Sequence, residues 1–527
     1  MPDPCSTPVP PPCAPAVTDQ RVLDNFTRRF NTATAQALTP PDLHPTNGDL
    51  ALPDQCGTYT KCVLQASPGK VDLGAYAAFA AAIASGKFAD FEAVPLGGSR
   101  TLNGPMGSYA WCFMGADSSQ FGAPAVPAPP PVASELYATE LIELYWCSLL
   151  RDVAFTDYAA NPFAQAAAAE LTTLAQYQGP KDNAKVTPAL LFRGDLFGEK
   201  IGPYISQFFL TPTNFGALPF DQKYLTYKAG VDFMTDQETW FKVQNGIPTG
   251  LADQPDPIPR YLHNGRDLAA FTHVDELFQA YFTAYLVLSS LKIPFNPGSP
   301  YLDSQTQNGF GTFGGPDIAS VIGQVAKTAL NAVWYQKWVV HLRHRPEAGA
   351  GLVHLIKNGV HFDVSPDSSV FSSKALAQVY SQQGSYLLSQ PFPEGSPAHP
   401  AYPTGHGAVG GACITILKFF FDGNCTLRNP VMPSDDGTEL VPWDSNPAHG
   451  DTGPLTVNGE LHKLAHNVTF GHGLHGGIHW RTDSDASIAL GEAVAIRFLQ
   501  DLACTYAEPF TVTFTRLDGT PQTITNI

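Results

Sequence analysis

Charge is scarce in this chain. Charged residues make up 15% of its 527 positions, where about 25% is usual for soluble domains, so part of the surface is expected to be covered by other subunits. Basic charge is scarcer still. The 30 lysines and arginines face 47 acidic residues, a formal net charge of −17, and without a clustered basic field a nucleic-acid surface is excluded. Long apolar runs are missing too. None reaches the ~18 residues of a membrane span, and the nearest, Ala408 to Phe421, is cut by Lys418 and reads as a buried helix. The opening Met1-Pro2-Asp3-Pro4 has no basic patch ahead of an apolar stretch, so no signal peptide is expected, and the compartment stays open. Zinc-ribbon cysteines are absent: the nine cysteines include no CxxC pair. Cys56 and Cys62 bracket a short glycine-containing loop and could pair, but a chain this large needs no staples, and buried free thiols are the preferred reading.

What is present is loop and helix. The 46 glycines and 47 prolines are scattered without period, which excludes collagen-like or coiled-coil order and predicts many loops. Residues 1–18, rich in proline, read as an arm that is disordered or laid on a neighbour. Residues 19–260 read as a helical scaffold, with helical spacing at Tyr76 to Ile83 and Glu135 to Leu150 and an alanine-rich stretch at Ala166 to Ala169. Residues 261–506 carry longer apolar faces. One runs from Leu268 to Leu291 through Phe271, Leu277, Tyr281 and Leu288, and another from Ile318 to Val340 through Ile322, Val325, Leu330, Val333 and Trp334. Further helices are expected at 405–421 and 483–504, giving an all-α bundle. Residues 507–527 switch to period two, with Asp518-Gly519 as the turn of a terminal β-hairpin.

Chemistry concentrates late in the chain, where twelve of the fifteen histidines fall between positions 341 and 479. Three pieces stand out there. The first runs from Lys337 to Arg345-Pro346. On one helix these two cations lie about 80° apart around the axis and ~12 Å along it, close enough to converge on one oxyanion, although a helix end complementing its dipole would look similar. The second, His399-Pro400-Ala401-Tyr402-Pro403-Thr404-Gly405-His406, runs straight into the apolar helix. A threonine-glycine turn opening a helix presents a hydroxyl and free backbone N–H groups to one point, with His399 and His406 as proton carriers, while an ordinary threonine N-cap is the plainer alternative. The third, Gly471 to Asp483, sets His472, His475 and His479 among four glycines. Asp483, four residues after His479, can hold that imidazole's tautomer on a shared helix face. A zinc site is disfavoured because the spacing lacks a cysteine or glutamate partner.

In this order the pieces resemble the vanadium-dependent haloperoxidases and the related type 2 phosphatidic acid phosphatases. The Lys337 to Arg345 interval and His399, seven residues before His406, resemble the bromoperoxidase branch of algae and cyanobacteria, and the likeness extends through His44 to Ala51, Tyr261 to Leu291 and Asn308 to Arg345. The resemblance implies two four-helix bundles in one large helical domain and a homo-oligomer, a dodecamer built of dimers. It implies that His479 ligates vanadium, that Lys337, Arg345, Thr404, Gly405 and His406 hold the vanadate oxygens, that His406 and His399 move protons, and that Trp334 lines the halide side. The implied activity is oxidation of bromide, and iodide, by hydrogen peroxide to hypohalous acid through a histidine-bound peroxovanadate, followed by attack on an organic acceptor, with no nucleic acid or membrane partner. A structural calcium near Phe295, Asp303 and Gln305 is implied as well, although one carboxylate is a weak site.

Two positions depart from the family. Relatives usually have serine where Thr404 stands. The arginine expected six residues before the ligand histidine is replaced by Gly473, for which Arg481, Arg343, His472 or His475 could substitute. The alternatives are an acid phosphatase of the same superfamily working through a phosphohistidine, and an inactive helical assembly protein.

Overall fold

Short polar side chains decide where many of the helices start. In the computed structural model, which describes residues 16–526, Asp72 caps Leu73–Ser85, Ser134 caps Glu135–Leu149, Asn264 caps Gly265–Val274 and Thr456 caps Val457–Phe470, each accepting from a backbone N–H of the first turn. The chain is mostly helical, and its β-structure among the described residues is confined to four two-stranded hairpins and isolated bridges. The C-terminal hairpin pairs Thr511–Thr515 with Pro521–Thr525 in antiparallel register, Thr511 opposite Thr525 and Thr515 opposite Pro521. The other three hairpins are two or three residues per strand, too short for the period-two signal to reveal.

At the centre lies the Gly405–Phe420 helix, every residue of which is buried. Gly315–Tyr335, Val457–Phe470 and Arg481–Ala503 pack around it to form a four-helix bundle. The approach between the central helix and Arg481–Ala503 is close because glycines line the crossing. A Cβ on Gly411 would sit 2.0 Å from the Ile488 carbonyl oxygen, and one on Gly491 would sit 2.2 Å from that of Ala408. This crossing brings the start of the central helix beside the start of Arg481–Ala503, and so sets Thr404 next to Asp483.

Two long helices expected from periodicity are broken. The Leu268 to Leu291 face divides into Gly265–Val274 and Gln279–Ser290, because Asp275 leaves the helix with extended dihedrals. Ile318 to Val340 becomes Gly315–Tyr335 followed by a π-helical turn, Gln336–His341, which ends where Leu342 turns left-handed at φ 46°. Pro346 therefore opens the next helix, Pro346–Lys357.

The arm expected over residues 1–18 lies largely outside the described residues, and Ala16 already begins a helix, Ala16–Leu38. That helix exposes Val22, Leu23, Phe26 and Phe30, each more than half accessible. Cys56 and Cys62 are free thiols, as are the other described cysteines. Among the described residues no helix is long and apolar enough to cross a membrane.

The Gly411→Val variant is expected to lose about 1–3 kcal/mol of stability or more, since its side chain would meet backbone that cannot retreat. Thermal denaturation of the variant against the parent chain checks this, with a conservative surface control such as Gln324→Ala expected to leave the midpoint in place.

Candidate functional site

The three pieces meet. Lys337 comes from the π-turn, Arg345 is the N-cap residue of Pro346–Lys357, Thr404 and Gly405 open the central helix, and His479 precedes the Arg481–Ala503 helix by two residues. Lys337 and Arg345 do not share one helical face, as the eight-residue interval had suggested. The left-handed Leu342 and the extended residues after it separate them, and convergence arises because both reach the His399 to Ala401 segment. Lys337 Nζ donates to the carbonyls of Pro400 and Ala401 at 2.9 and 2.7 Å. Arg345 Nε donates to the His399 carbonyl at 2.9 Å and Arg345 Nη2 to His399 Nδ1 at 3.0 Å.

His479 has a defined tautomer. Its Nδ1 donates to Asp483 Oδ2 at 2.9 Å, a carboxylate oxygen that also accepts from the Trp480 N–H at 3.1 Å. The proton thus sits on Nδ1 and the lone pair on Nε2, where Arg345 Nη1 donates to it at 2.8 Å. The His479–Asp483 contact forms as expected, though not on a helix face: His479 lies outside the helix and Asp483 reaches back over its first turn. Asp483 Oδ1 accepts from Arg343 Nη1 at 2.7 Å, and the same guanidinium reaches Glu140 Oε2 at 2.9 Å.

Every one of these groups is removed from water, with Lys337, Thr404, His479 and Asp483 at 0% exposure and Arg345 at 1%. Burial pushes the Lys337 ammonium well below the usual lysine range, with Arg345 adding repulsion and Asp483 opposing it. Burial lowers Arg345 to about 10, which still leaves it a cation at neutral pH. Burial, followed by the charges of Arg345 and Lys337, keeps His479 well below the ordinary imidazole range and so neutral. His399 is held down in the same way. Burial raises Asp483, and Arg343 and Lys337 pull it back.

Several donors are left over. Thr404 stands at the N-cap position, yet its hydroxyl makes no capping bond and Oγ1 has no partner among the described residues. As an ammonium, the form a bound oxyanion would favour, Lys337 has three N–H donors, two of which go to carbonyls. The first backbone N–H groups of the central helix have no intrahelical partner by construction. A buried polar atom without a partner is costly, so the combination of an orphan hydroxyl, a spare ammonium proton, a guanidinium, a helix N-terminus and an imidazole lone pair fits a tetrahedral oxyanion that one histidine can ligate. Glycine at 405 lets the helix start close to the Trp334 ring, since a Cβ there would lie 3.2 Å from Trp334 Cζ3.

Above these residues opens a cavity of about 320 Å³ lined by Trp334, His399, Gly405, His406, His472 and Ile478, with Arg100, His273, Phe392 and Glu394 farther out. The Trp334 ring packs on His399 at 4.7 Å between centroids. His406 Nε2 donates to Asp275 Oδ1 at 2.9 Å. Sequence reasoning missed Asp275, because it sat inside a stretch that read as continuous helix. It also missed Glu140 and the outer pair His273 and Glu394, 2.7 Å apart, which carry no local motif.

Three of the four candidates for the missing cation are engaged elsewhere. Arg481 pairs with Glu143 at 2.6 Å and donates to the Arg193 carbonyl, Arg343 is held by Asp483 and Glu140, and the His475 ring contacts Cys147 Sγ at 3.2 Å and Tyr204 Oη at 2.9 Å. His472 alone of the four lines the cavity. The loop with Phe295, Asp303 and Gln305 offers one carboxylate, and no group of three His, Cys, Asp or Glu side chains able to hold a metal ion occurs among the described residues.

The buried imidazoles make stability pH-dependent. Burial lowers His341, His344 and His475 to about 3, whereas in the unfolded chain each protonates near 6.5. Between these values the unfolded state binds more protons, so their contribution is complete above about 6.5 and declines as pH falls toward 3. His466, raised to about 9 against its burial by Glu199 and Asp485, acts oppositely and loses its contribution as pH rises through 9. The thermal midpoint is expected to fall steadily from pH 7 to pH 4; calorimetry showing a rise over that interval would contradict this electrostatic picture.

Known proteins resemble this chain over most of its length. A family model described as the VCPO second helical-bundle domain matches residues 377–505. The chain is 33% identical to the vanadium-dependent bromoperoxidase of Ascophyllum nodosum over 476 residues, covering 86% of this chain and 83% of the relative. It is 32% identical to that of Corallina officinalis over 471 residues, covering 77% and 76%. A solved structure, the homohexameric second vanadate-dependent bromoperoxidase from Ascophyllum nodosum, superimposes with a TM-score of 0.91 at 30% identity, covering 98% of this chain and 94% of that one.

Proposed function

The chain belongs to the vanadium-dependent bromoperoxidases, and from that premise we propose that the cradle around His479 holds vanadate and oxidises bromide, and iodide, with hydrogen peroxide to hypohalous acid. The observation that carries the site assignment is the neutral His479 ring, its Nε2 lone pair turned toward Arg345 in a wholly buried cluster of donors. Bound vanadate supplies a centre that takes up peroxide and polarises it toward halide without changing oxidation state.

The protein's own residues supply the rest. His479 Nε2 is the ligand atom, and Asp483 keeps its proton on Nδ1 so that the lone pair stays available. Lys337, Arg345, Thr404 Oγ1 and the Gly405 N–H neutralise and orient the oxyanion by charge-assisted hydrogen bonds. His406 faces the cavity with Asp275 accepting from its Nε2, so its other ring nitrogen would take or give a proton at a group held in the cavity. His399, clamped by Arg345 and covered by Trp334, fixes the carbonyls that hold Lys337. Burial excludes bulk water, which strengthens each of these contacts.

His479→Ala and Lys337→Ala are each expected to lower bromination of a phenol dye, in the presence of vanadate and peroxide, by about 100-fold or more while the far-ultraviolet dichroism stays unchanged. Full turnover by the His479→Ala protein would show that the ligand is assigned to the wrong residue. A dedicated phosphatase would instead hydrolyse a phenyl phosphate and be inhibited by vanadate.

The chain is a homo-oligomer in this reading. Support comes from the low charge content, from the exposed apolar side chains of the Ala16–Leu38 helix and from the hexamer formed by the structural relative. Light scattering is expected to give a mass of several chains, and the double substitution Phe26→Asp with Phe30→Asp is expected to shift it toward smaller species.

A further inference from the structure

The wall of the cavity facing His406 holds a histidine that nothing above uses. We propose that His472 supplies the remaining oxyanion donor, occupying through its ring N–H the place where the resemblance expects an arginine; the proposal rests on the vanadate reading of the site.

The backbone explains why counting residues pointed to the wrong neighbour. Gly471–His475 is a π-helical turn, with Gly476 N–H donating to the Gly471 carbonyl at 2.9 Å and Ile478 N–H to that of Gly473 at 2.9 Å, both five residues back. A π-turn holds one residue more than an α-turn. Six positions before His479 stands Gly473, whose Cβ direction is crowded: an added Cβ would lie 3.1 Å from His479 Cβ and 3.3 Å from Ser484 Oγ. The extra residue turns the side chain of position 472 toward the cavity instead.

There the His472 ring lies 3.9 Å from the His406 ring and 5.5 Å from that of His479, centroid to centroid, between the proposed proton carrier and the proposed ligand. The residue is 7% exposed and its Nδ1 has no hydrogen-bond partner among the described residues. A buried nitrogen without a partner, on the wall of a cavity that the other candidate cations do not reach, is a donor or acceptor waiting for a ligand. Lys337 and Arg345 both grip the His399 to Ala401 segment, so an oxyanion held by them alone would have donors mainly from that segment's side. A neutral imidazole gives it one N–H on another side, fewer than the five of a guanidinium, and vanadate binding is correspondingly expected to depend on that single bond.

The test uses the full chain stripped of bound anion and titrated with orthovanadate by equilibrium dialysis, with inorganic phosphate as a redox-inert competitor. His472→Phe fills the space without a donor and His472→Ala empties it. Each is expected to raise the vanadate Kd about tenfold, the loss of one charge-assisted hydrogen bond, and to weaken phosphate competition in parallel. His472→Gln, which keeps an N–H near the same place, is expected to stay within about threefold of the parent chain. Dichroism identifies the variants that fold, and two variants of opposite volume guard against loss of either one. A folded Phe or Ala variant that binds vanadate as tightly as the parent overturns the proposal, as does a Gln variant as weak as Ala. Absence of saturable vanadate binding by the parent chain would overturn the vanadate reading itself, a result distinct from either.

Discussion

One buried carboxylate joins everything the site needs. Asp483 accepts from His479 Nδ1 and the Trp480 N–H on one oxygen and from Arg343 on the other, while its backbone carbonyl accepts from the Thr404 N–H at 3.1 Å. His479, the basic segment and the start of the central helix are therefore tied to one residue with no exposure to water. Taking a carboxylate out of water costs several kcal/mol, and this one is compensated by a guanidinium that Glu140 positions from another helix. If Asp483 moved, the His479 Nδ1–H and the Trp480 N–H would lose the acceptor they share, while Arg343 would keep Glu140.

From that anchor the electrostatics of the cavity follow. The Arg345 guanidinium and the Lys337 side chain sit among buried imidazoles and are answered by backbone carbonyls, not by carboxylates of their own, which is an unusual state for a protein interior. Burial holds His399, His472 and His479 below the ordinary imidazole range, which leaves His479 with a lone pair and His399 and His472 with a ring proton each. The Thr404 hydroxyl and the His472 Nδ1 have no partner among the described residues, as the proposed anion site requires. Asp275 behind His406 adds a proton acceptor on the side that opens toward the outer cavity.

Much of this was legible in the residues. The central helix, the scaffold helices and the terminal hairpin followed from period and turn chemistry, and the three motif pieces were found where they meet. What escaped were the breaks. Periodicity continues smoothly through Asp275 and through Gln336, so two interrupted helices read as whole, and the acid behind His406 vanished into one of them. A left-handed Leu342 leaves no mark of its own, since leucine is not a residue that favours that region; without it Lys337 and Arg345 looked like neighbours on a single face. Likewise a π-turn cannot be seen by counting, which is why Gly473 looked like a gap when the side chain next to it faces the cavity. Glu140, remote in sequence, is found only in three dimensions.

A crystal structure of the chain soaked in orthovanadate decides whether these residues form one anion site. Vanadium is expected bonded to His479 Nε2, with its oxygens in hydrogen-bond reach of Lys337, Arg345 and Thr404 and with the His479–Asp483 contact intact. Vanadate bound through another histidine, or lodged in the outer cavity away from these donors, would contradict that assignment.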